Sequence, residues 1–363
     1  MGVEPRPVTP REEEAEAAPG VEELHRTTAA QWLKQSLRRD GGVRWIVNVE
    51  FNGVLISLVV LCVAFGISHP EFFAWQQVRD MLQTLAVPYG LLAMGAAFLI
   101  TMRQLDLSVG SNVALSMVLM ALLMNAGVNP WIAAAIGIGA SAAMGLVNVL
   151  LIQVIGIPAL LATLAMWYGY AGLANGLANG GQIALKSTRG TFFGGVGGSL
   201  FGMPVSVWVM LAFAAILTAV LRFTPFGYRA RSIGSNPEAA RFSGISIARV
   251  QVQAFVLAGL LSGVTAILYL AFDQVGDPTV GGDWALFAIA AAVIGGTPLR
   301  GGSGTIFGAM LGAILLSAVQ SGLVYFDVPS AWTGFALAVM IVAAVTIEAA
   351  VRRSTRGRGR RLL

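Results

Sequence analysis

From Leu107 to Leu185 the chain contains no Asp, Glu, Lys, Arg or His. A run several times the roughly 20 residues that cross a bilayer cannot be the core of one soluble domain. In lipid every backbone N–H and C=O must be satisfied within the protein, so such a run is read as several consecutive spans. Hydrophobic residues make up 56% and charged residues 11% of the whole chain, against about 25% charged in soluble proteins. The expected fold is therefore all-α: a polytopic membrane protein of about ten transmembrane helices.

The polar start, residues 1–44, with Glu12, Glu13, Glu14 and four prolines, reads as a partly disordered segment. The first apolar run starts near Trp45 and ends at His69-Pro70. Phe72 to Met81 reads as an interfacial segment, with Phe72, Phe73 and Trp75 at headgroup depth. Further spans are expected at about Thr84–Met102, Val109–Ala126, Pro130–Val154, Pro158–Asn175, Val205–Leu221, Val250–Phe272, Trp284–Ile294, Thr305–Tyr325 and Ala331–Ala350. The span at Trp284 is short enough to be a half-helix. Gly180 to Met203 reads as a loop. Residues 45–350 thus form one membrane domain, followed by a basic tail over 351–363. With ten spans both termini share one side. Arg103, Arg222, Arg229, Arg231, Arg241, Arg249, Arg300 and the tail arginines fall on that side, and the positive-inside rule makes it cytoplasmic.

The stretch 224–249 is a polar island between two spans. Asn236 is suited to cap a helix, Pro237 to occupy its first position, Glu238 to face the positive end of the helix dipole, and Gly244 to end it in a left-handed turn. A helix of about two turns is too short to cross a bilayer, so it lies at the surface, where it is placed to touch a partner. Ala239 and Ala240 are small enough for close approach, and Glu238 and Arg241 share a face.

Ile233-Gly-Ser-Asn-Pro-Glu-Ala-Ala-Arg-Phe-Ser-Gly-Ile245 resembles the cytoplasmic coupling segment of permease subunits of ribose/xylose/galactose-type ABC importers. Leu105-Asp-Leu-Ser-Val-Gly-Ser111 and the glycine-rich stretch Gly295 to Ala313 resemble the same family, in the same order. The resemblance covers about Val78 to Ala349. It implies a second permease subunit, identical or paralogous, and a separate ATPase, in some members one with two fused nucleotide-binding halves. It also implies an extracytoplasmic sugar-binding protein and a place in the cytoplasmic membrane. ATP and Mg would belong to the ATPase, and no cofactor is expected on this chain. Gly234, Asn236, Pro237, Glu238, Ala239, Ala240, Arg241 and Gly244 are the expected ATPase-coupling residues. A branched-chain amino-acid-type or nucleoside ABC permease, or an ion-coupled secondary transporter, is the alternative.

For the solute path the candidates are Asp106, Ser108, Asn112, Asn148 and Asn175. Asp106 reads equally as a cap for the span that follows it, and the Asn residues equally as helix-to-helix bridges. Trp167, Tyr168 and Tyr170 read as an aromatic belt rather than a sugar platform. Asp273, Asp277 and Asp283 crowd one loop on the side opposite the arginines, and serve either to dock the binding protein or simply to be solvated. Glycines spaced by four, at 172, 176 and 180, at 259 and 263, and at 304, 308 and 312, read as helix packing. Asp106-Leu-Ser-Val-Gly-Ser-Asn-Val-Ala-Leu115 echoes Asp277-Pro-Thr-Val-Gly-Gly-Asp-Trp-Ala-Leu286 at an offset of 171 residues. Across five spans that offset would make spans two to five and seven to ten an inverted repeat. Chance is the competing account of so short a match.

Enzyme chemistry finds little support. Cys62 is the only cysteine, and His25 and His69 lie far apart. No nucleophile has a base at motif spacing. Gly180-Gly-Gln-Ile-Ala-Leu-Lys-Ser187 resembles a P-loop, but Leu185 stands where that motif needs glycine. The net charge of +5 lies in tails and membrane loops, as topology requires, so nucleic acid is not an expected partner.

Overall fold

The computed structural model describes residues 49–188 and 190–326, with scattered positions between 331 and 342. The expected disordered start, most of the tenth span and the basic tail lie outside the described residues.

The chain forms α1 (Val49–Ser68), α2 (Trp75–Thr101), α3 (Val109–Asn125), α4 (Pro130–Ile155) and α5 (Ala159–Leu177). After a connecting region come α7 (Val205–Phe223), two short helices α8 (Pro225–Ser235) and α9 (Pro237–Phe242), then α10 (Ile247–Asp273), α11 (Trp284–Ile294) and α12 (Ile306–Tyr325). Five of these, α2, α4, α7, α10 and α12, are long and apolar enough to cross a membrane, and α1, α3 and α11 are shorter apolar helices. The region Gly180–Met203 is more structured than a loop. Strand β1 (Ile183–Ala184) pairs antiparallel with β4 (Val275–Gly276), a six-residue helix α6 (Thr191–Val196) follows β1, and β2 (Ser199–Leu200) pairs with β3 (Met203–Pro204).

Trp75–Met81 is not a separate interfacial piece. It is the start of α2, and Phe72 is buried against Phe65 and Tyr325, with centroids 5.0 and 5.7 Å away. Phe73 and Trp75 remain exposed. Gln76 bonds Asp80 one turn on, which lets polar residues occupy the first turns of this helix. The helix widens to π geometry over Leu82–Ala86. Pro88 lies two residues beyond it, and its missing N–H would interrupt a regular ladder at this point.

Helix α2 is the core of the bundle. Every residue from Val87 to Thr101 is buried, and it packs against α7, α8, α10, α11 and α12. By contrast α1, α4, α5 and α7 present Val59, Ile67, Ile132, Val154, Leu161 and Ile216 outward, as lipid-facing helices do.

The internal echo is a structural repeat. At the same offset α2 corresponds to α10, α3 to α11 and α4 to α12. Helix α2 packs on α11 and α12, while α10 packs on α3 and α4; α3 packs on α4 as α11 does on α12. Arg103 and its counterpart Gln274 both adopt a left-handed backbone, φ 61° and 59°, ending equivalent helices. Asp106 Oδ1 accepts the Ser108 N–H at 2.8 Å and its hydroxyl at 2.7 Å, and Asp277 Oδ1 accepts the same two groups of Thr279 at the same distances. The equivalent glycines Gly110 and Gly281 touch reciprocally: a Cβ on either would strike the carbonyl of the other. Self-contact between equivalent positions is the mark of a two-fold relation. Along α2, Gly95 meets Ala258 of α10, whereas the earlier residue Tyr89 shares Trp284 with the later residue Tyr269 at 6.1 and 5.2 Å, so the two helices run antiparallel and the repeat is inverted.

Candidate functional site: a capped surface helix and a buried polar network

The coupling segment is built by local capping. Thr224 Oγ1 accepts the Gly227 N–H at 3.3 Å, and Pro225 opens α8, a helix the sequence reading does not anticipate. Asn236 is extended, with φ −152°, and its side chain accepts the N–H groups of Glu238 and Ala239, both at 3.1 Å. Pro237 is the first residue of α9. Gly244 has φ +78°, its N–H bonds the carbonyl of Arg241, and Ile245 returns to the carbonyl of Ala240, both at 3.0 Å. The expected caps are all present.

The faces of this segment sort its residues. Asn236, Glu238, Ala239, Arg241 and Gly244 are exposed, Pro237 is half-buried, and Gly234 and Ala240 are buried within the chain. Ala240 is only 4% exposed and belongs to the main core, so its small side chain serves internal packing rather than approach to a partner. The reading from sequence also overlooks Phe242. It is 92% exposed at the tip of α9, and six residues are too few for periodicity to assign its face.

Four of the five candidate path residues fall into buried polar networks at the middle of the repeat. Besides its two bonds from Ser108, Asp106 accepts the side-chain amide of Asn148 at 3.2 Å through Oδ2. The same amide reaches Ser108 Oγ at 2.7 Å, and Asn148 Oδ1 accepts the hydroxyl of Tyr170 at 3.0 Å. Asn112 donates to the Ser141 carbonyl at 3.1 Å, and Ser141 Oγ lies 2.5 Å from Asn112 Oδ1 and 2.6 Å from the carbonyl of Gly259. Asp106 thus serves the turn ahead of α3 rather than the helix's own cap, and Asn148 and Asn112 bridge helices. Asn175 stands apart and donates to the Ala171 carbonyl of its own helix. Tyr170 is buried in this network, not in an aromatic belt, whereas Tyr168 is exposed.

At the opposite end of the bundle, Asp273 and Asp283 are exposed and Asp277 is half-buried. Burial raises the Asp277 carboxyl, but bonds from the Thr279 N–H, the Thr279 hydroxyl and Gln182 outweigh it and hold it below the usual carboxylate range. Lys186, in the P-loop-like stretch, donates its N–H and its ammonium to Asn125, and Ile183–Ala184 is a strand, so this stretch has no phosphate cradle.

The glycine spacings divide. Gly259 and Gly263 meet the backbone of α4, and Gly308 and Gly312 that of the Gly295 and Ala291 region, as packing requires. Gly172 and Gly176 meet nothing within 4 Å among the described residues.

Apolar helices folded as an inverted repeat around a central helix buried from Val87 to Thr101, with a capped surface segment between spans, define a multi-pass membrane permease. The sequence matches the family described as "Branched-chain amino acid transport system / permease component" over residues 79–345, and the chain belongs to this family. It is 34% identical to the ribose import permease protein RbsC of Bacillus subtilis over 83% of this chain and 95% of that protein. It is 31% identical to the L-arabinose ABC transporter permease protein AraH of Azospirillum brasilense, over 81% of this chain and 85% of the other. The RbsC protein of Escherichia coli K12 is 32% identical over 81% and 92%. No solved structure matches the chain.

Proposed function

We infer that this chain is the permease subunit of an ABC importer for a monosaccharide, a pentose or hexose. Similarity to ribose and arabinose permeases along most of the chain favours sugar over the branched-chain amino acids in the family's description. The observation that carries the ATP-driven mechanism is the exposed face of α9, where Glu238, Ala239, Arg241 and Phe242 stand on a helix fixed at both ends by caps. A rigid, short, exposed helix between spans is suited to a groove on a soluble ATPase. ATP and Mg are bound and hydrolysed there, on a partner chain. Two permease subunits, identical or paralogous, pair around a central path. An extracytoplasmic binding protein delivers the sugar at the end carrying Asp273, Asp277 and Asp283, and both termini and α9 are cytoplasmic. Asp106, Ser108, Asn112 and Asn148 border that path at the repeat's two-fold contact, and Asn175 lies further out along α5.

The test is uptake into proteoliposomes holding the permease with its ATPase and binding protein. Labelled ribose or arabinose should accumulate only with Mg-ATP on the ATPase side, and excess leucine should not compete. Uptake driven by an ion gradient without ATP would replace this reading with a secondary transporter.

A further inference from the structure

Three backbone segments converge where the coupling segment meets the bundle: the end of α2, the end of α8 and the loop before α12. The Gly302 N–H donates to the Thr101 carbonyl at 2.9 Å, and the Thr101 hydroxyl donates to the Ala97 carbonyl at 2.7 Å. The approach leaves no space for side chains. A Cβ on Gly234 would fall on the Thr101 carbonyl and 2.5 Å from the Gly302 nitrogen, and one on Gly302 would lie 2.6 Å from Ser235 Oγ.

One side chain closes this junction. The Arg103 guanidinium Nη2 donates to the Ser235 carbonyl at 2.9 Å. Ser235 is the last residue of α8, and its carbonyl belongs to the negative end of that helix. The next residue is Asn236, the cap of α9. Arg103 therefore grips the joint between the two coupling helices from the end of the central helix. It does so from a left-handed backbone, φ 61°, which disfavours any residue with a Cβ. At the equivalent point of the second repeat, Gln274 has the same backbone, but there it is the main-chain carbonyl that engages a neighbour, the Leu185 N–H at 3.1 Å. The inverted repeat thus supplies one turn twice, and only the copy beside α8 carries a cation. An exposed hydrogen bond of this kind adds little to stability; what it fixes is the orientation of α8 and α9 relative to α2.

We propose that Arg103 is the positioning residue that makes α8–α9 and α2 move together, so that a displacement of α9 by its partner enters the core of the permease through α2. This rests on the reading of α9 as the ATPase contact.

Two variants separate side chain from backbone. Arg103→Gly eases the left-handed turn and removes the guanidinium, whereas Arg103→Lys keeps a cation. In the assembled importer, Arg103→Gly should still co-purify with the ATPase and keep its basal ATP hydrolysis. Sugar uptake and sugar-stimulated hydrolysis should fall about tenfold, the scale of one charge-assisted hydrogen bond. Arg103→Lys should recover most of both. In the full-length permease alone, tryptic cleavage after Arg241 should quicken about fivefold in Arg103→Gly as the segment loosens, and much less in Arg103→Lys. Wild-type coupling in Arg103→Gly would overturn the proposal. So would loss of ATPase co-purification, because Arg103 would then only shape the docking surface, and so would unchanged cleavage after Arg241. If the wild-type ATPase does not engage α9 at all, the function proposed above fails, while the cleavage comparison still judges the clamp by itself.

Discussion

The repeat offers an internal control for the cost of a buried polar contact. Asn148 and Gln182 each donate a side-chain amide to Oδ2 of an equivalent aspartate, Asp106 at 3.2 Å and Asp277 at 2.8 Å. The first pair is buried and the second lies in an exposed loop. Asn148→Leu preserves volume approximately and removes the amide. Tyr170 keeps a partner, since its hydroxyl also donates to the Met144 carbonyl at 2.9 Å. Ser108 keeps its donor role toward Asp106. What is stranded is one oxygen of a buried carboxylate, which costs about 3 kcal/mol. At about 2–4 °C per kcal/mol, the scale of domains of about 150–250 residues, Asn148→Leu should lower the melting temperature of the detergent-purified permease by up to about 6–12 °C. Gln182→Leu leaves an oxygen that water can reach, and should shift it by about 1–2 °C or less. Heating followed by size-exclusion chromatography of the surviving fraction reads both. Equal shifts for the two variants, or an Asn148→Leu melting point within about 2 °C of wild type, would refute the reasoning, since burial would then not set the cost.

Gly110→Ala would push a methyl into the Gly281 carbonyl and should cost about 3 kcal/mol or more; Gly53→Ala, where nothing lies within 4 Å among the described residues, should leave the melting temperature unchanged or slightly raised, and similar losses for both would argue against the two-fold contact. Phe242→Ala should leave the melting temperature unchanged and weaken retention of the ATPase about tenfold or more, on the scale of one buried aromatic side chain. Ala240→Trp should instead lower folded yield, because Ala240 is inside the core, and a normal melting temperature in that variant would contradict its placement. Because the Asp277 carboxyl is held below its ordinary range, its contribution is present above the unfolded-state value and is lost as pH falls through the folded one. The melting-temperature gap between wild type and Asp277→Ala should therefore close on acidification from pH 7 toward the acid limit, and a gap that widens would reverse the sign.

Span positions are legible in the sequence because proline, glycine and charge punctuate apolar blocks. Asn129-Pro130 marks an observed helix start, whereas the start of α8 at Thr224-Pro225 is not anticipated. The start of α2 is not legible, since Gln76, Arg79 and Asp80 look interfacial until the helix is seen to continue through them. The caps of α9 are legible because capping is decided within four residues. Which way Ala240 and Phe242 point is not, because on a single turn and a half only tertiary contacts distinguish inside from outside. Composition identifies Asp106, Asn112 and Asn148 as costly residues in an apolar setting, but their mutual bonding depends on the approach of α3 and α4. The same limit misassigns Tyr170: the sequence places an aromatic in a span but gives neither its depth nor its face.

The echo between Asp106 and Asp277 carries more than its ten residues suggested. Each copy of the turn follows a left-handed residue that ends a long helix and runs into the next helix, and Gly110 in the first turn of α3 meets its counterpart Gly281 just ahead of α11. Between Gly110 and Gly281 there is backbone only, with no side chain to deform. Packed interiors have low compressibility, so displacement of one turn toward that contact must be met by the other. From the first turn Arg103 reaches the coupling segment, and from the second Gln274 and Asp277 reach β1 and the loop around Gln182. The two ends of the bundle are thus joined by two short turns abutting at a two-fold contact. Of the two turns, only the first carries a charged residue at its left-handed position, and that residue holds the helix pair against which the ATPase is proposed to act.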